Sequence, residues 1–264
     1  ITPDTQYIYS ATAHQEALNT VLLALQSGEG FVKISGEVGT GKTLLCRRLL
    51  RTFGEDTITA YLPNPQLDPR TLLLTVAEEL GVADGPGEAF HVIKRINHRL
   101  IALAGEGKTA ILCIDEAQTM PPLTLETLRL LSNLETEKRK LIHIILFGQP
   151  ELDEMLNRPS ARQLRQRIAF NYKMPPLSRD EMERYLDHRL QVAGYRGPPL
   201  FSPMACRALY GSTKGTPRLV NLLAHKSLLA AFGQGQYRIA PSHVRQAAID
   251  TDGAGRVPWW IPGW

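Results

Sequence analysis

The sequence predicts an α/β fold in which a five-stranded parallel sheet is flanked by helices and followed by a small all-helical domain. Over the first two thirds of the chain, five short apolar runs of the kind that form buried strands alternate with amphipathic stretches. This alternation is typical of parallel sheets whose two faces are covered by helices. After "MPPLS" the strand-like runs stop and only helix signals follow.

Each element is predicted from its own pattern. The strands are the apolar runs at 31–35, 58–62, 109–114, 141–148 and 168–174. Apolar residues at helical spacing predict helices at 14–27, 70–80, 87–104 and 124–133. In the helical domain, Ser178 and Glu181 form a capping-box pattern, Ser202-Pro203 and Thr216-Pro217 are helix starts, and a last helix runs over 241–249.

Composition limits the protein class. A hydrophobic content of 43% with 21% charged residues is typical of a globular protein, and the net charge of +4 permits contact with DNA or an anionic membrane without demonstrating either. Cys46, Cys113 and Cys206 form no CxxC pair, which favours a reducing, cytoplasmic setting. No run approaches the roughly 20 apolar residues of a membrane span, no signal peptide is visible, and the start at Ile1 predicts a trimmed N-terminus.

Three domains are expected: an α/β domain at 1–176, a helical domain at 177–250, and a tail at 251–264 that is rich in Trp and Pro. The tail contains Trp259, Trp260 and Trp264 and is too short to span a bilayer. Since tryptophan favours the membrane interface, the tail either contacts a membrane or packs on protein.

The segment "GEVGTGKT" matches GxxxxGK[ST] between a predicted strand and a predicted helix, which is the context of a phosphate-binding loop. In such a loop, backbone N–H groups surround phosphates, Lys42 reaches the β and γ oxygens, and Thr43 ligates magnesium. The residues expected to bind the nucleotide are Gly36, Glu37, Val38, Gly39, Thr40, Gly41, Lys42, Thr43 and Leu44.

Polar residues at the ends of the neighbouring strands complete the predicted site. In "AILCIDEAQ", Asp115 is expected to hold magnesium and Glu116 to orient or deprotonate the attacking water. Gln149, after the strand "LIHIILFG", can donate and accept hydrogen bonds where the γ-phosphate is expected. Asn64 at the end of "AYLPN" either couples Glu116 to a partner or belongs to a simple turn.

Arginines stand at two further positions. "RQLRQRIAF" places Arg162, Arg165 and Arg167 before the last predicted strand, as a solvated helix end or as groups that reach a neighbouring subunit's nucleotide. Arg218 follows Thr216, a candidate N-cap, and Pro217. It therefore lies in the first turn of a helix, where the helix dipole disfavours a cation, so it is either a solvated surface residue or one that another interaction holds there.

These motifs resemble those of the AAA+ ATPases, a family of P-loop NTPases. The similarity rests on the phosphate loop, "ILCIDE", "FGQPEL", the arginines before the fifth strand and "GTPR", and it covers nearly the whole chain. More closely, "TPD", "HQEAL", "GEVGTGKTLLCRRLL", "IDEAQ" and "GQPEL" are similar to the bacterial general secretion pathway protein A group. Within that group the chain is most similar to the ATPases of the mannose-sensitive haemagglutinin (MSHA) type IV pilus system.

The resemblance implies an ATPase that uses ATP and Mg²⁺, with the helical domain as a lid and the nucleotide in the cleft below it. It also implies that Arg218 reaches the γ-phosphate and that Arg165, or alternatively Arg167, acts on a neighbour's nucleotide within an oligomer, in which a ring is one arrangement. The implied partners are proteins of an envelope machine, in type IV pilus biogenesis or type II-like secretion. The implied location is cytoplasmic or peripheral at the inner membrane.

Two other functions are compatible with the same motifs. The ATPases that regulate transposition target choice share the loop, the acidic box and the lid, and a basic chain suits DNA. A scaffold that binds ATP and hydrolyses it slowly is the other alternative. A helicase is disfavoured because the chain lacks a second motor domain.

Overall fold

The computed structural model describes residues 12–82, 88–136 and 139–256. A five-stranded sheet is formed by β1 (Phe31–Gly36), β2 (Thr57–Leu62), β3 (Thr109–Ile114), β4 (Ile142–Gly148) and β5 (Phe170–Met174). The spatial order is β2-β3-β4-β1-β5, and every described pairing is parallel. The sheet prediction is therefore confirmed, and the bounds of β3 agree to the residue.

The helices that accompany the sheet are α1 (Thr12–Gln26), α2 (Lys42–Thr52), α3 (Pro69–Glu79), α4 (Ala89–Gly105), α5 (Pro122–Leu131), α6 (Pro150–Leu156) and α7 (Arg162–Arg165). Four more follow the sheet: α8 (Arg179–Val192), α9 (Pro203–Thr213), α10 (Pro217–Gly233) and α11 (Pro241–Ile249). None of the helices in the described part of the chain combines the length and apolar character that crossing a bilayer requires.

Helices cover both faces of the sheet, and alternate side chains of each strand pack against them. Val32 and Ile34 of β1 pack with α1 and α2, whereas Phe31 packs with the core formed by α3, α4 and α5 on the other face. Successive side chains of a strand point to opposite faces, so a run that is buried throughout requires helices on both sides. The result is the three-layer α/β arrangement that the alternating sequence pattern predicts.

The chain divides into two compact units. The described residues of the α/β unit are 13–36, 42–82, 88–136 and 139–174, and those of the helical unit are Thr12, 37–41 and 175–256. The loop that links β1 to α2 thus groups with the helices. The domain boundaries expected at 176 and 250 stay predictions, and Trp259, Trp260 and Trp264 lie outside the described residues.

Capping follows the sequence signals with one exception. Ser178 and Glu181 form a reciprocal capping box at α8, and the Ser202 hydroxyl accepts from the Ala205 N–H at the start of α9. Thr216 is the N-cap of α10 through its extended backbone, but its side chain makes no capping hydrogen bond, which corrects the expectation of a side-chain cap. Helix α11 spans the predicted residues.

A close backbone approach holds the start of α10 within the helical unit. Gly215 has φ of +75°, and a Cβ atom added to it would lie 1.9 Å from the carbonyl oxygen of Leu177. The Leu177 N–H donates to the Gly215 carbonyl at 3.0 Å. Only glycine fits here, because both the positive φ and the missing Cβ are needed.

Replacing Gly215 by Ala is expected to destabilise the helical unit by more than about 2 kcal/mol, since it combines left-handed strain with a backbone clash. Gly233→Ala is the matched control: Gly233 ends α10, and a Cβ there meets no atom within 4 Å. That control is expected to be neutral or up to about 1 kcal/mol more stable. Urea unfolding measures the stability of both variants. If Gly215→Ala were as stable as Gly233→Ala, the close approach of Gly215 to Leu177 would be contradicted.

Candidate functional site

The loop after β1 has the backbone of a phosphate-binding turn. Gly39 and Gly41 have φ of +81° and +94°, which glycine adopts without strain. The buried Lys42 ammonium donates to the Gly36 carbonyl oxygen at 2.7 Å, across the base of the loop. A buried ammonium group needs hydrogen-bond acceptors, and a phosphate oxygen would be a stronger acceptor than this carbonyl.

Asp115 follows β3 and is 2% exposed. It accepts hydrogen bonds from the Thr43 hydroxyl and from the N–H of Glu116. Burial raises the pKa of the Asp115 carboxyl above its ordinary value; the two hydrogen bonds and the Lys42 charge oppose the shift, and the neighbouring Glu116 charge adds to it. The dominant cause is therefore desolvation of the charged form.

The side chains of Thr43 and Asp115 offer oxygen ligands that suit Mg²⁺. Thr43 and Asp115, the two predicted ligands, are in hydrogen-bond contact, and a hydroxyl and a carboxylate are the oxygen ligands that Mg²⁺ prefers. Within the described ranges no cluster of three His, Cys, Asp or Glu residues could hold a metal. Because Mg²⁺ commonly takes its remaining ligands from water and substrate phosphates, this sparse donor set fits a nucleotide-bound ion.

Glu116 occupies a strained backbone position. Its φ of 50° and ψ of 36° are left-handed, an uncommon conformation for a residue with a side chain. Its Oε2 atom accepts from Gln118 Nε2 at 2.6 Å and from Gln149 Nε2 at 3.0 Å. Glu116 is thus fixed by two amide side chains, one of which belongs to the next strand end.

Gln118 is the residue that sequence reasoning missed. Besides donating to Glu116, it accepts from the Gln149 N–H through Oε1 at 3.0 Å. It therefore joins the acid after β3 to the N-cap of α6. A glutamine two residues after the acid was the available signal. Asn64, considered for this coupling, instead accepts from the Gln66 N–H at 3.2 Å in its own turn.

A partly buried ion pair holds the helix that Gln149 caps. Lys33, inside β1, pairs with Asp153 of α6, and the Ser35 hydroxyl donates to the other oxygen of Asp153. Gln149 is the N-cap of the same helix. The pair explains a lysine within the buried run "FVKIS" and attaches the first turn of α6 to the strand that leads into the phosphate loop.

The helical unit places Arg218 against the loop. Arg218 lies in the first turn of α10 and is exposed, and a Cβ atom added to Gly39 would lie 2.4 Å from the Arg218 Cβ. Glycine at 39 thus allows the start of α10 to approach the loop backbone closely. Arg218 thus lies beside the loop backbone, and its contact with a phosphate stays a prediction.

The arginines before β5 differ in their surroundings. Arg165 ends α7, is exposed, and donates to the Asn157 Oδ1 at 2.7 Å. Arg167 is half-buried and donates to the Ser132 carbonyl at 3.3 Å. Arg162 starts α7 and is exposed. Exposure thus separates Arg162 and Arg165 from Arg167, which is half-buried.

The family follows from a comparison with known proteins. Residues 25–156 match the model of the AAA domain. The chain belongs to this family of ATPases, whose P-loop fold binds nucleotides.

Relatives agree with this assignment. The chain is 40% identical over all of its 264 residues to general secretion pathway protein A of Aeromonas hydrophila, of which it spans 48%, about half the length. In fold it is similar to Cdc6p from Pyrobaculum aerophilum (TM-score 0.69, 18% identity, 99% of this chain and 73% of that one). It is also similar to the Thermotoga maritima RuvB Holliday junction branch migration motor (0.59, 15%, 92% and 70%).

Replacing Asp115 by Asn is expected to raise the melting temperature of the ligand-free chain at neutral pH, because the raised pKa records a penalty on the charged carboxylate. A raised folded-state pKa gives stability that is complete below the unfolded-state pKa and is lost as pH rises through the folded-state pKa. The increase in melting temperature caused by Asp115→Asn should therefore be small at acid pH. It should grow between the unfolded-state and folded-state pKa values of Asp115 and stay constant above them.

Melting curves from about pH 4 to about pH 8 test this, with the exposed Asp252→Asn as control. A gain that does not change with pH would contradict desolvation as its cause. In the same variant, Mg²⁺ with ATP should no longer raise the melting temperature as it does for the natural sequence.

Proposed function

We propose that this chain binds Mg²⁺ and ATP at the ends of β1, β3 and β4 and hydrolyses the ATP to assemble or position a bacterial envelope machine. The observation that supports the chemistry best is the joining of Glu116 and Gln149 by a direct hydrogen bond beside the phosphate loop. The observation that supports the cellular role is the 40% sequence identity with general secretion pathway protein A over all 264 residues of this chain.

In this mechanism Lys42 exchanges its bond with the Gly36 carbonyl for the β and γ oxygens, while Thr43 and Asp115 hold Mg²⁺. An Mg²⁺ ion held by Thr43 and Asp115 would supply positive charge that stabilises the charge developing on the phosphates. A water attacks the γ-phosphorus, the bond to the β–γ bridging oxygen breaks, and Glu116 accepts the proton that the water loses. The products are ADP and phosphate.

Gln149 makes hydrolysis depend on the γ-phosphate. Its side-chain amide donates to Glu116 at 3.0 Å in the ligand-free chain, and a phosphate oxygen is a competing, charged acceptor. When Gln149 turns to the phosphate, Glu116 keeps the bond from Gln118 and is released to bind the attacking water. Arg218, next to Gly39, supplies a further positive charge to the phosphates.

Glu116→Gln is expected to lower the ATP turnover number by about 10²–10⁴-fold and to leave ATP affinity within a few-fold, because the side chain acts on water and not on the nucleotide. Single-turnover hydrolysis and equilibrium binding of ATP measure the two quantities. Glu151→Gln, an exposed acid in the first turn of α6, is the matched control and should change neither. Equal loss of binding and turnover would remove Glu116 from this role.

Assembly is the second part of the proposal. Arg165 is exposed, and its hydrogen bond to Asn157 holds it at the end of α7. We assign it, ahead of Arg167, to the nucleotide of a neighbouring subunit in an oligomer, because Arg165 is exposed whereas Arg167 is half-buried. An arginine supplied in trans stabilises the charge of the phosphoryl-transfer transition state.

Mixing two inactive variants tests this arrangement. Lys42→Ala subunits lose their own site but still offer Arg165, and Arg165→Ala subunits keep their phosphate loop but lack the arginine. Each alone should turn over about 10³–10⁵-fold more slowly, and mixtures should recover part of the activity. Arg162→Ala, at an exposed arginine of the same short helix, is the control. Co-assembly without recovery would contradict the role of Arg165.

The finer cellular role is type IV pilus biogenesis of the MSHA type or type II-like secretion, at the cytoplasmic side of the inner membrane. Its partners are proteins of that machine. The Glu116→Gln form should retain ATP and therefore stabilise complexes with them. Isolation of envelope-machine proteins with this form, but not with Lys42→Ala, supports the assignment, whereas identical sets with both variants oppose it.

Regulation of DNA transposition target choice is the second candidate. It is favoured by the net charge of +4 and by the fold shared with the branch migration motor RuvB. Turnover measured with and without duplex DNA separates the two functions. Stimulation that falls with rising salt supports this candidate, since phosphate contacts depend strongly on ionic strength.

A further inference from the structure

The helical unit exposes a group of large apolar side chains around the second half of α10. These residues, defined here as the α10 patch, are Leu222, Leu229, Phe232, Tyr237 and Ile249. Phe232 is 84% exposed and Ile249 83%. The opposite face of α10 is buried in the core of the helical unit. Large apolar side chains therefore lie on the exposed side of α10 as well as on the buried side, and the exposed side also carries His225.

The members of the patch on α10 share one side of that helix. Leu222, Leu229 and Phe232 are seven and three residues apart, which places them on one stripe. Tyr237 follows the turn that closes α10, in which the Gly235 N–H donates to the Phe232 carbonyl at 3.0 Å. The most exposed aromatic side chains thus lie at the tip formed by the end of α10 and this turn.

Ile249 joins the patch through an ion pair. The Lys226 ammonium, on α10, donates to the Asp250 carboxylate at 2.8 Å and also to the Asp250 carbonyl. These contacts hold the end of α11 beside the middle of α10, and Ile249 precedes Asp250 directly. The pair also neutralises the acid that borders the patch.

The stretch of chain that carries most of the patch is basic. Residues 188–249 contain no Asp or Glu, and their basic residues are Arg189, Arg196, Arg207, Lys214, Arg218, Lys226, Arg238 and Arg245. Arg238 is exposed and follows Tyr237 directly. An exposed apolar surface carried by a basic stretch of chain combines the two properties that draw a protein to anionic lipid.

We propose that the α10 patch binds the surface of an anionic lipid bilayer. Phe232, Leu229 and Ile249 enter the boundary between headgroups and acyl chains, and Tyr237 lies at headgroup level, where aromatic rings with a polar end are favoured. Arg238, which is exposed and follows Tyr237, faces the lipid phosphates. The proposal goes beyond the ATPase role, because no residue of the patch belongs to the nucleotide site.

The side chains favour lipid over other anionic partners. Against duplex DNA, Leu229 and Ile249 would lie next to charged phosphates with nothing apolar to contact. An acidic amphipathic helix would match the charge, but helix recognition uses a groove, and side chains as exposed as Phe232 and Ile249 project from the surface. Projecting side chains insert into a bilayer without needing a complementary shape.

Vesicle flotation of the full chain tests the proposal, with vesicles of phosphatidylglycerol and phosphatidylcholine compared with phosphatidylcholine alone. Binding should require the anionic lipid and should fall as salt rises. The double variant Leu229→Ser with Phe232→Ser should partition at least about tenfold less, since burial of even one such side chain is worth that factor. The matched control is Phe90→Ser on α4, where the ring is 70% exposed; it should bind as the natural sequence does.

Two further measurements keep the result interpretable. The double variant should retain its ATP turnover and its melting temperature, so that lost flotation reports the surface and not unfolding. A form ending at Arg256 should still float, which separates the patch from the tryptophan tail. Unchanged flotation of the double variant, or flotation only with the tail present, overturns the proposal. Dimerisation or DNA binding that the double variant abolishes, without vesicle binding, assigns the patch to that partner instead.

Discussion

The parallel strand order is the constraint on which the site depends. Because β3, β4 and β1 are adjacent and run the same way, their C-terminal ends meet at one edge of the sheet. That edge receives the phosphate loop after Gly36, the acids Asp115 and Glu116, and the amide of Gln149. These residues are up to 113 positions apart in sequence, and no local interaction would bring them together. Loss of the strand order would leave the motifs intact and the chemistry absent.

The ligand-free site is electrostatically costly. Lys42 and Asp115 are both buried charges, and Glu116 adopts a left-handed backbone. Internal hydrogen bonds offset these costs. The Lys42 ammonium donates to a backbone carbonyl, and the Asp115 carboxylate accepts from a hydroxyl and an N–H. Two side-chain amides donate to the Glu116 carboxylate. Each of those bonds has a stronger counterpart in Mg²⁺ and phosphate. Mg²⁺ and phosphate would therefore bind where the chain holds its least favourable groups, and such groups are typical of functional sites.

Much of this arrangement could be predicted from the sequence, and the rest shows what a linear pattern lacks. The five apolar runs and the GxxxxGK[ST] spacing carry enough local information to define the sheet and the loop. The coupling of Glu116 to Gln149 through Gln118 could not be predicted, because it depends on the adjacency of β3 and β4 and on side-chain reach. The same holds for Lys33, whose partner Asp153 lies 120 residues away. Thr216 has the right residue type for a cap, yet its side chain makes no capping bond, since residue type does not determine the rotamer.

Amide hydrogen exchange with two nucleotides tests the central claim most directly, namely that the γ-phosphate is read at the joined ends of β3 and β4. Both ADP and a non-hydrolysable ATP analogue should slow exchange in the loop 36–44 in the presence of Mg²⁺. Only the analogue, which carries the γ-phosphate, should change exchange at 116–118 and at 149–152, where Glu116, Gln118 and Gln149 are joined. Equal effects of both nucleotides at these segments, or no effect at either, would contradict the account.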